Sequence, residues 1–126
     1  MGRLTLVLFS SPEGGEAGTL ALNLLRAARN LGHDVSVFAL GDGIYHALEP
    51  GKGQEELDNH GVLHRMRHMM QMEMDSPHPI QFEICAHSAQ ERGIVPEEMM
   101  PGVKMSSTSQ LGTWIGDSQR CLFLGL

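Results

Sequence analysis

The chain is poor in cysteine, in aromatic residues and in positive charge. Cys85 and Cys121 are its two cysteines among 126 residues, too few and too far apart for a disulfide framework or a cysteine zinc site. A reduced, cytoplasmic setting is the expectation. Nine Lys and Arg stand against fifteen Asp and Glu, for a formal charge of −6, and 5% of residues are aromatic. Without a basic block, phosphate backbones find no electrostatic footprint, so nucleic acid is not an expected partner. No apolar run approaches the roughly 20 residues that span a bilayer. The first run, Leu4–Ser10, is strand-like and lacks the basic flank and small-residue cleavage site of a signal peptide. A membrane partner is therefore not expected either.

What is present suits a globular chain: 41% hydrophobic and 19% charged residues, at the length of one ordinary domain. Leu4–Ser10 is apolar almost throughout, as a strand buried on both faces should be. After the turn-rich Ser11–Gly15, the residues Leu20, Leu24, Ala27, Ala28 and Leu31 recur at helical spacing within Glu16–Leu31. Gly32 stops that helix and Val35–Leu40 reads as a second strand, so a parallel β-α-β unit is implied. Gly41-Asp42-Gly43 precedes a short helical stretch, Ile44–Leu48. Ile80–Ile84 reads as a third strand, Val103–Met105 as a short fourth and Cys121–Leu124 as a last one. A helix capped by Ser106 or Ser107 and running through Ile115 lies between those last two. The expected fold is α/β: one three-layer α/β/α domain over residues 1–126, with a mainly parallel sheet of about five strands. The glycines of Ser11–Gly15 could face an anion, but they match neither dinucleotide nor P-loop spacing, so a plain turn is the stronger reading.

Cys85 closes the third strand and opens the stretch Ala86–Gly93. In open α/β sheets, reaction sites gather where strands end and helices begin. A helix start also offers free N–H groups and partial positive charge, which favour the nucleophilic thiolate. The plainer alternative is a small buried hydrophobe.

A long helix is expected at about 54–75, rich in histidine and methionine. Leu63, Met66, Met70 and Met74 fall on one arc and make its buried stripe. His60, His64 and His68 share an adjoining arc. Such i, i+4 histidines can hold a transition metal, and thioethers suit Cu(I). A solvated or inter-subunit face is the stronger reading, since a metal would need further ligands from elsewhere, so no metal is assigned. Methionine's flexible apolar side chain makes this helix a candidate contact surface.

Several segments in order resemble the DsrE/TusD-like sulfur-relay family. These are Leu4-Thr5-Leu6-Val7-Leu8 with its Pro/Gly loop, the helix Ala17–Asn30, and Gly32-His33-Asp34-Val35-Ser36-Val37-Phe38. Gly41-Asp42-Gly43-Ile44-Tyr45-His46-Ala47 follows, and then Ile84-Cys85-Ala86-His87-Ser88-Ala89-Gln90-Glu91-Arg92-Gly93-Ile94, which is similar to the family's I-C-x-x-x-A-x-x-R-G segment. Ser109-Gln110-Leu111-Gly112 and the last short strand complete the match, which omits about Glu49–His78. The resemblance implies a DsrE-like fold and a sulfurtransferase-type carrier that takes sulfane sulfur onto Cys85 as a persulfide. It also implies sulfur donor and acceptor proteins as partners, and a homo-oligomer, trimer or hexamer, or a hetero-oligomer with sister subunits. The alternatives are a non-catalytic interaction subunit of the same fold and a metal- or redox-responsive protein using the histidine stripe.

Thiol exchange needs no metal or coenzyme, so no cofactor is expected. It does need a partner's cysteine to reach an exposed sulfur. Asp42 and Tyr45, after the second strand, share the carboxyl end of the sheet with Cys85 and are candidates to line a pocket. His87 is a further candidate for the pocket and for an activating base, although two residues along a helix point it elsewhere. Arg92, two turns along, is set for a structural salt bridge rather than for the thiolate. Cys121 reads as core, with a resolving or second sulfur role as the alternative.

Overall fold

The structure, a computed structural model, describes residues 2–11, 17–48, 70–77 and 79–125. The elements are β1 (Arg3–Leu8), α1 (Ala17–Asn30), β2 (Asp34–Ala39), a 3-10 segment (Gly41–Ala47), β3 (Gln81–Cys85), α2 (Ala86–Glu91), a 3-10 turn (Pro96–Glu98), β4 (Lys104–Ser106), α3 (Thr108–Asp117) and β5 (Arg120–Leu124). Residues 70–74 are helical as well. The strands form one sheet in the order β4-β3-β2-β1-β5, every pair parallel. All five carboxyl ends therefore lie along one edge, and Cys85 is on it.

The sheet has an apolar cluster on each face, and alternate residues of the same strand feed the two, as a period of two requires. Leu6 and Leu8, Val37 and Ala39, and Phe82 and Ile84 join α1 in the larger cluster. Val7, Phe38 and Cys85 point to the opposite face, where they join Leu111 and Trp114 of α3. This double burial explains why the strands read as continuous apolar runs rather than alternating ones.

The helix α1 is rotated from its expected setting. Ala21, Leu22, Leu25 and Ala28 are buried, whereas Leu20 and Leu31 are exposed and Leu24 is half-buried. Leucines at 20, 22, 24 and 25 spread apolar groups over more than one arc, so spacing alone leaves the rotation open. Ion pairs help select it: Arg26 Nε lies 3.1 Å from Glu73 Oε2, and Arg29 bonds Glu73 Oε1. With Ala21 and Ala28 inward, the helix can lie close to the sheet. Met70 and Met74 are buried in the same cluster, as the methionine stripe predicts. Leu63 and Met66 lie outside the described residues, as do His60, His64 and His68 and the loop residues Pro12–Gly15.

The 3-10 segment is held against the carboxyl end of β1 by two glycines. A Cβ on Gly43 would overlap the Leu8 carbonyl, and Gly41 adopts φ +57°, a left-handed setting that glycine takes without steric cost. The next residue in the chain, Asp42, is thereby brought over the edge where β3 ends.

Candidate functional site

Cys85 is both the last residue of β3 and the N-cap of α2. The chain turns because Ala86–Glu91 continues as helix while the Cys85 backbone stays extended (φ −71°, ψ 117°). Its Sγ accepts the backbone N–H of Ser88 at 3.4 Å, taking one of the donors a helix start leaves without an intrahelical partner. The residue is 5% exposed and belongs to the cluster of Val7, Phe38, Leu111 and Trp114; Phe9, Leu40 and Cys121 pack against the margins of that cluster. The thiol expected to be exposed is thus covered in the isolated chain. The reason is the next connection: Ser106 of β4 stands in register with Cys85, and α3 starts two residues later. That helix then crosses the face to which the sulfur points.

Two bridges tie the turn of Cys85 to the loop after β2. The Gly41 N–H donates to Ser88 Oγ at 2.9 Å. Arg92 donates from Nε and Nη2 to Asp42 Oδ1 at 3.0 and 2.9 Å, and from Nη1 to the Ser88 carbonyl at 3.1 Å. Asp42 therefore reaches the neighbourhood of Cys85 through Arg92, which serves as the structural salt bridge its spacing suggests. Tyr45 is half-buried against the larger cluster, on the other side of the sheet from the sulfur's apolar surroundings. The His87 ring is 78% exposed, with Nε2 3.6 Å from Glu91 Oε1 along the outer face of α2. The structure thus brings Asp42, but neither Tyr45 nor His87, into the hydrogen-bonded group around Cys85. Ser88 and Trp114, which no sequence motif marks, are the additional residues that shape it.

Cys121 cannot meet Cys85 within the chain. Through the registers Cys121–Thr5, Thr5–Ser36 and Ser36–Gln81, it stands level with Gln81 and two strands intervene. Three strand spacings and the rise from Gln81 to Cys85 put the pair roughly 20 Å apart, far beyond the ~7 Å Cα limit of a disulfide. Burial raises the Cys121 thiol above its ordinary pKa, which favours the inert neutral form. Among the described residues, no group of three or more His, Cys, Asp and Glu is arranged to hold a metal ion, and no helix is long and apolar enough to cross a membrane.

The arrangement of a cysteine at a strand-to-helix junction in a five-stranded parallel sheet can be compared with known proteins. The family model described as DsrE/DsrF-like matches residues 3–124. The chain belongs to the DsrE/DsrF-like family. It is 32% identical over 97 residues to protein TusC of Klebsiella pneumoniae, covering 76% of each chain. It is 23% identical over 120 residues to an uncharacterised protein of Methanopyrus kandleri, covering 95% of this chain and 92% of that protein. Its fold is that of the YchN protein of E. coli, with a TM-score of 0.74 at 20% identity over 98% of this chain and 99% of that one. The comparisons support the family as a whole and similarity to TusC proteins; they do not support a TusD-like specificity.

Proposed function

We propose that this chain acts in a sulfur relay and carries sulfane sulfur as a persulfide on Cys85. Membership of the DsrE/DsrF-like family and similarity to TusC proteins support the relay role. The observation that carries the assignment to Cys85 is its place: it is the one cysteine at the carboxyl edge of the sheet, with the Ser88 N–H directed at its sulfur. In loading, the Cys85 thiolate attacks the outer sulfur of a donor persulfide, R–S–SH. A new S–S bond forms at Cys85, the donor's S–S bond breaks, and R–S⁻ leaves with its electron pair. An acceptor thiolate then takes the outer sulfur by the same step in reverse. Electrons balance without a metal, an oxidant or a coenzyme.

A sulfur covered by Leu111 and Trp114 needs an opening before a second thiol can reach it. The helix α3 is the element suited to supply one. Two side chains, Leu111 and Trp114, are its buried anchors, and its N-cap Ser107 makes no side-chain capping bond. Gly112 and Gly116 lower its helix propensity by about 1 kcal/mol each relative to alanine. Such thinly anchored elements open locally at low free-energy cost. Donor and acceptor proteins, a cytoplasmic setting, and assembly as a homo-oligomer or with sister subunits belong to the same proposal.

The burial of Cys85 also favours a second reading, in which the residue is core and the chain is an interaction subunit whose partners make the transfer. Mass spectrometry after incubation with a low-molecular-weight persulfide separates the two. The carrier reading expects a one-sulfur adduct on the wild type that is absent from Cys85→Ser. No adduct on folded wild type, or one that persists in Cys85→Ser, overturns it.

A further inference from the structure

Ser88 is one of four buried polar residues among those described, and each of its polar groups is engaged at the turn that carries Cys85. Its N–H donates to Cys85 Sγ at 3.4 Å. Its Oγ accepts the Gly41 N–H at 2.9 Å, from a loop 47 residues away in sequence. Its carbonyl accepts from Arg92 Nη1 at 3.1 Å, and the other guanidinium nitrogens of Arg92 hold Asp42. Water has little access to replace any of these bonds at a buried site, so losing one leaves a group unsatisfied.

The Gly41 N–H follows β2 from an extended Leu40 (φ −141°, ψ 165°), and Gly41 itself then turns the chain away in a left-handed setting (φ +57°) that other residues rarely adopt. That donor meets the Ser88 hydroxyl and no other side chain of α2. The hydroxyl is therefore the direct point at which the loop after β2 holds the rotation of the first turn of α2, beside the indirect bridge through Arg92. The Ser88 amide, and through it the sulfur, follows that rotation. An N–H donor strengthens its hold on sulfur as the sulfur gains negative charge, so the orientation of the amide bears on how readily the thiolate forms.

From this geometry we infer that Ser88 is a positioning residue for Cys85: its hydroxyl, pinned by Gly41, aims the Ser88 amide at the sulfur and sets the reactivity of the thiol. The inference rests on Cys85 being the reacting group and deepens that reading by naming what orients it. Ser88 itself exchanges no atom with a substrate. Sulfur transfer between two thiols is sensitive to such orientation, because both the nucleophilic form and the line of attack are constrained.

The test is alkylation of Cys85 by iodoacetamide at neutral pH, in a Cys121→Ser background and read by mass spectrometry. Ser88→Ala should slow alkylation several-fold. Ser88→Thr, which keeps the hydroxyl, should return the rate towards the wild-type value. A folded Ser88→Ala with an unchanged rate overturns the inference. Should Ser88→Ala fail to fold, NMR on the parent protein decides. The Ser88 amide proton should shift on alkylation of Cys85 and in Cys85→Ala; an amide shift insensitive to the thiol overturns the inference. Neither readout involves sulfur transfer. A parent protein that accepts no sulfur from a persulfide would sink the relay while leaving the positioning role standing.

Discussion

Arg92 places Nε and Nη2 at 3.0 and 2.9 Å from a single carboxylate oxygen of Asp42, closing a link between residues fifty apart in sequence. Asp42 is 60% exposed, so water and salt screen the pair and its net contribution to stability is about 1 kcal/mol or less. Asp42→Asn should lower the Tm by no more than about 5 °C at low salt, and by less at high salt. Arg92→Leu should cost more, because it also removes the donor to the Ser88 carbonyl. Thermal denaturation at two ionic strengths checks both. Equal losses for the two variants would mean that the Ser88 contact contributes nothing.

Trp114 is the single tryptophan of the chain, and its ring meets Phe38 edge-on at 6.0 Å between centroids. Removing it should destabilise the fold by about 3–5 kcal/mol, the range for a large buried aromatic. Trp114→Phe keeps an aromatic edge and should cost less. It should nevertheless speed iodoacetamide attack on Cys85, since α3 is then held by a smaller anchor. Chemical denaturation gives the first quantity and alkylation kinetics the second. An alkylation rate unchanged by Trp114→Phe would show that α3 does not control access to the sulfur.

The strands were legible because a parallel sheet covered on both faces needs apolar residues at successive positions, and Leu4–Leu8 and Val35–Ala39 supply them. Cys85 stood out for a related reason: strand pattern ends and helical pattern begins at that residue. The rotation of α1 was not legible, because four leucines between 20 and 25 give it more than one apolar arc. A distant partner, Glu73, held by Arg26 and Arg29, helps select one of them. Ser88 left no periodic signal either, and a serine inside a six-residue helix becomes informative once Gly41 is seen to bond it. Leu111, Trp114 and Ile115 do recur at helical spacing, but spacing alone does not say that Trp114 is buried and Ile115 exposed. Tyr45 shows the limit of reasoning by shared edge. It lies in the loop that carries Asp42, yet a 3-10 segment turns its ring to the opposite face.

Two glycines should respond to alanine in opposite ways. At Gly43 an added Cβ would run into the Leu8 backbone carbonyl, which cannot swing aside as a flexible side chain could. Gly43→Ala should displace the 3-10 segment and cost several kcal/mol, on the order of the larger single-site effects. At Gly112 an added Cβ meets nothing within 4 Å. Gly112→Ala, inside α3, should therefore stabilise by roughly 0.5–1 kcal/mol through lower unfolded-state entropy. Urea titration of both variants checks the pair. A destabilised Gly112→Ala would mean that the outer surface of α3 is covered in solution, for instance by another subunit.

Cys121 gives a pH dependence whose sign follows from burial. Desolvation raises its thiol above the ordinary 9.0. In the window between the unfolded and folded values, the native chain retains a proton that the unfolded chain has released. Stability must then fall as pH rises, because the unfolded state binds fewer protons there. Below 9.0 both states are protonated and the contribution is fully present. Subtracting the stability of Cys121→Ala removes other alkaline titrations and leaves a constant packing offset. The wild type's advantage over that variant should accordingly be flat through neutral pH and shrink above about 9, measured by urea titration at successive pH values. An advantage that stays flat through the alkaline range would mean that the edge strand opens enough for water to reach the sulfur of Cys121.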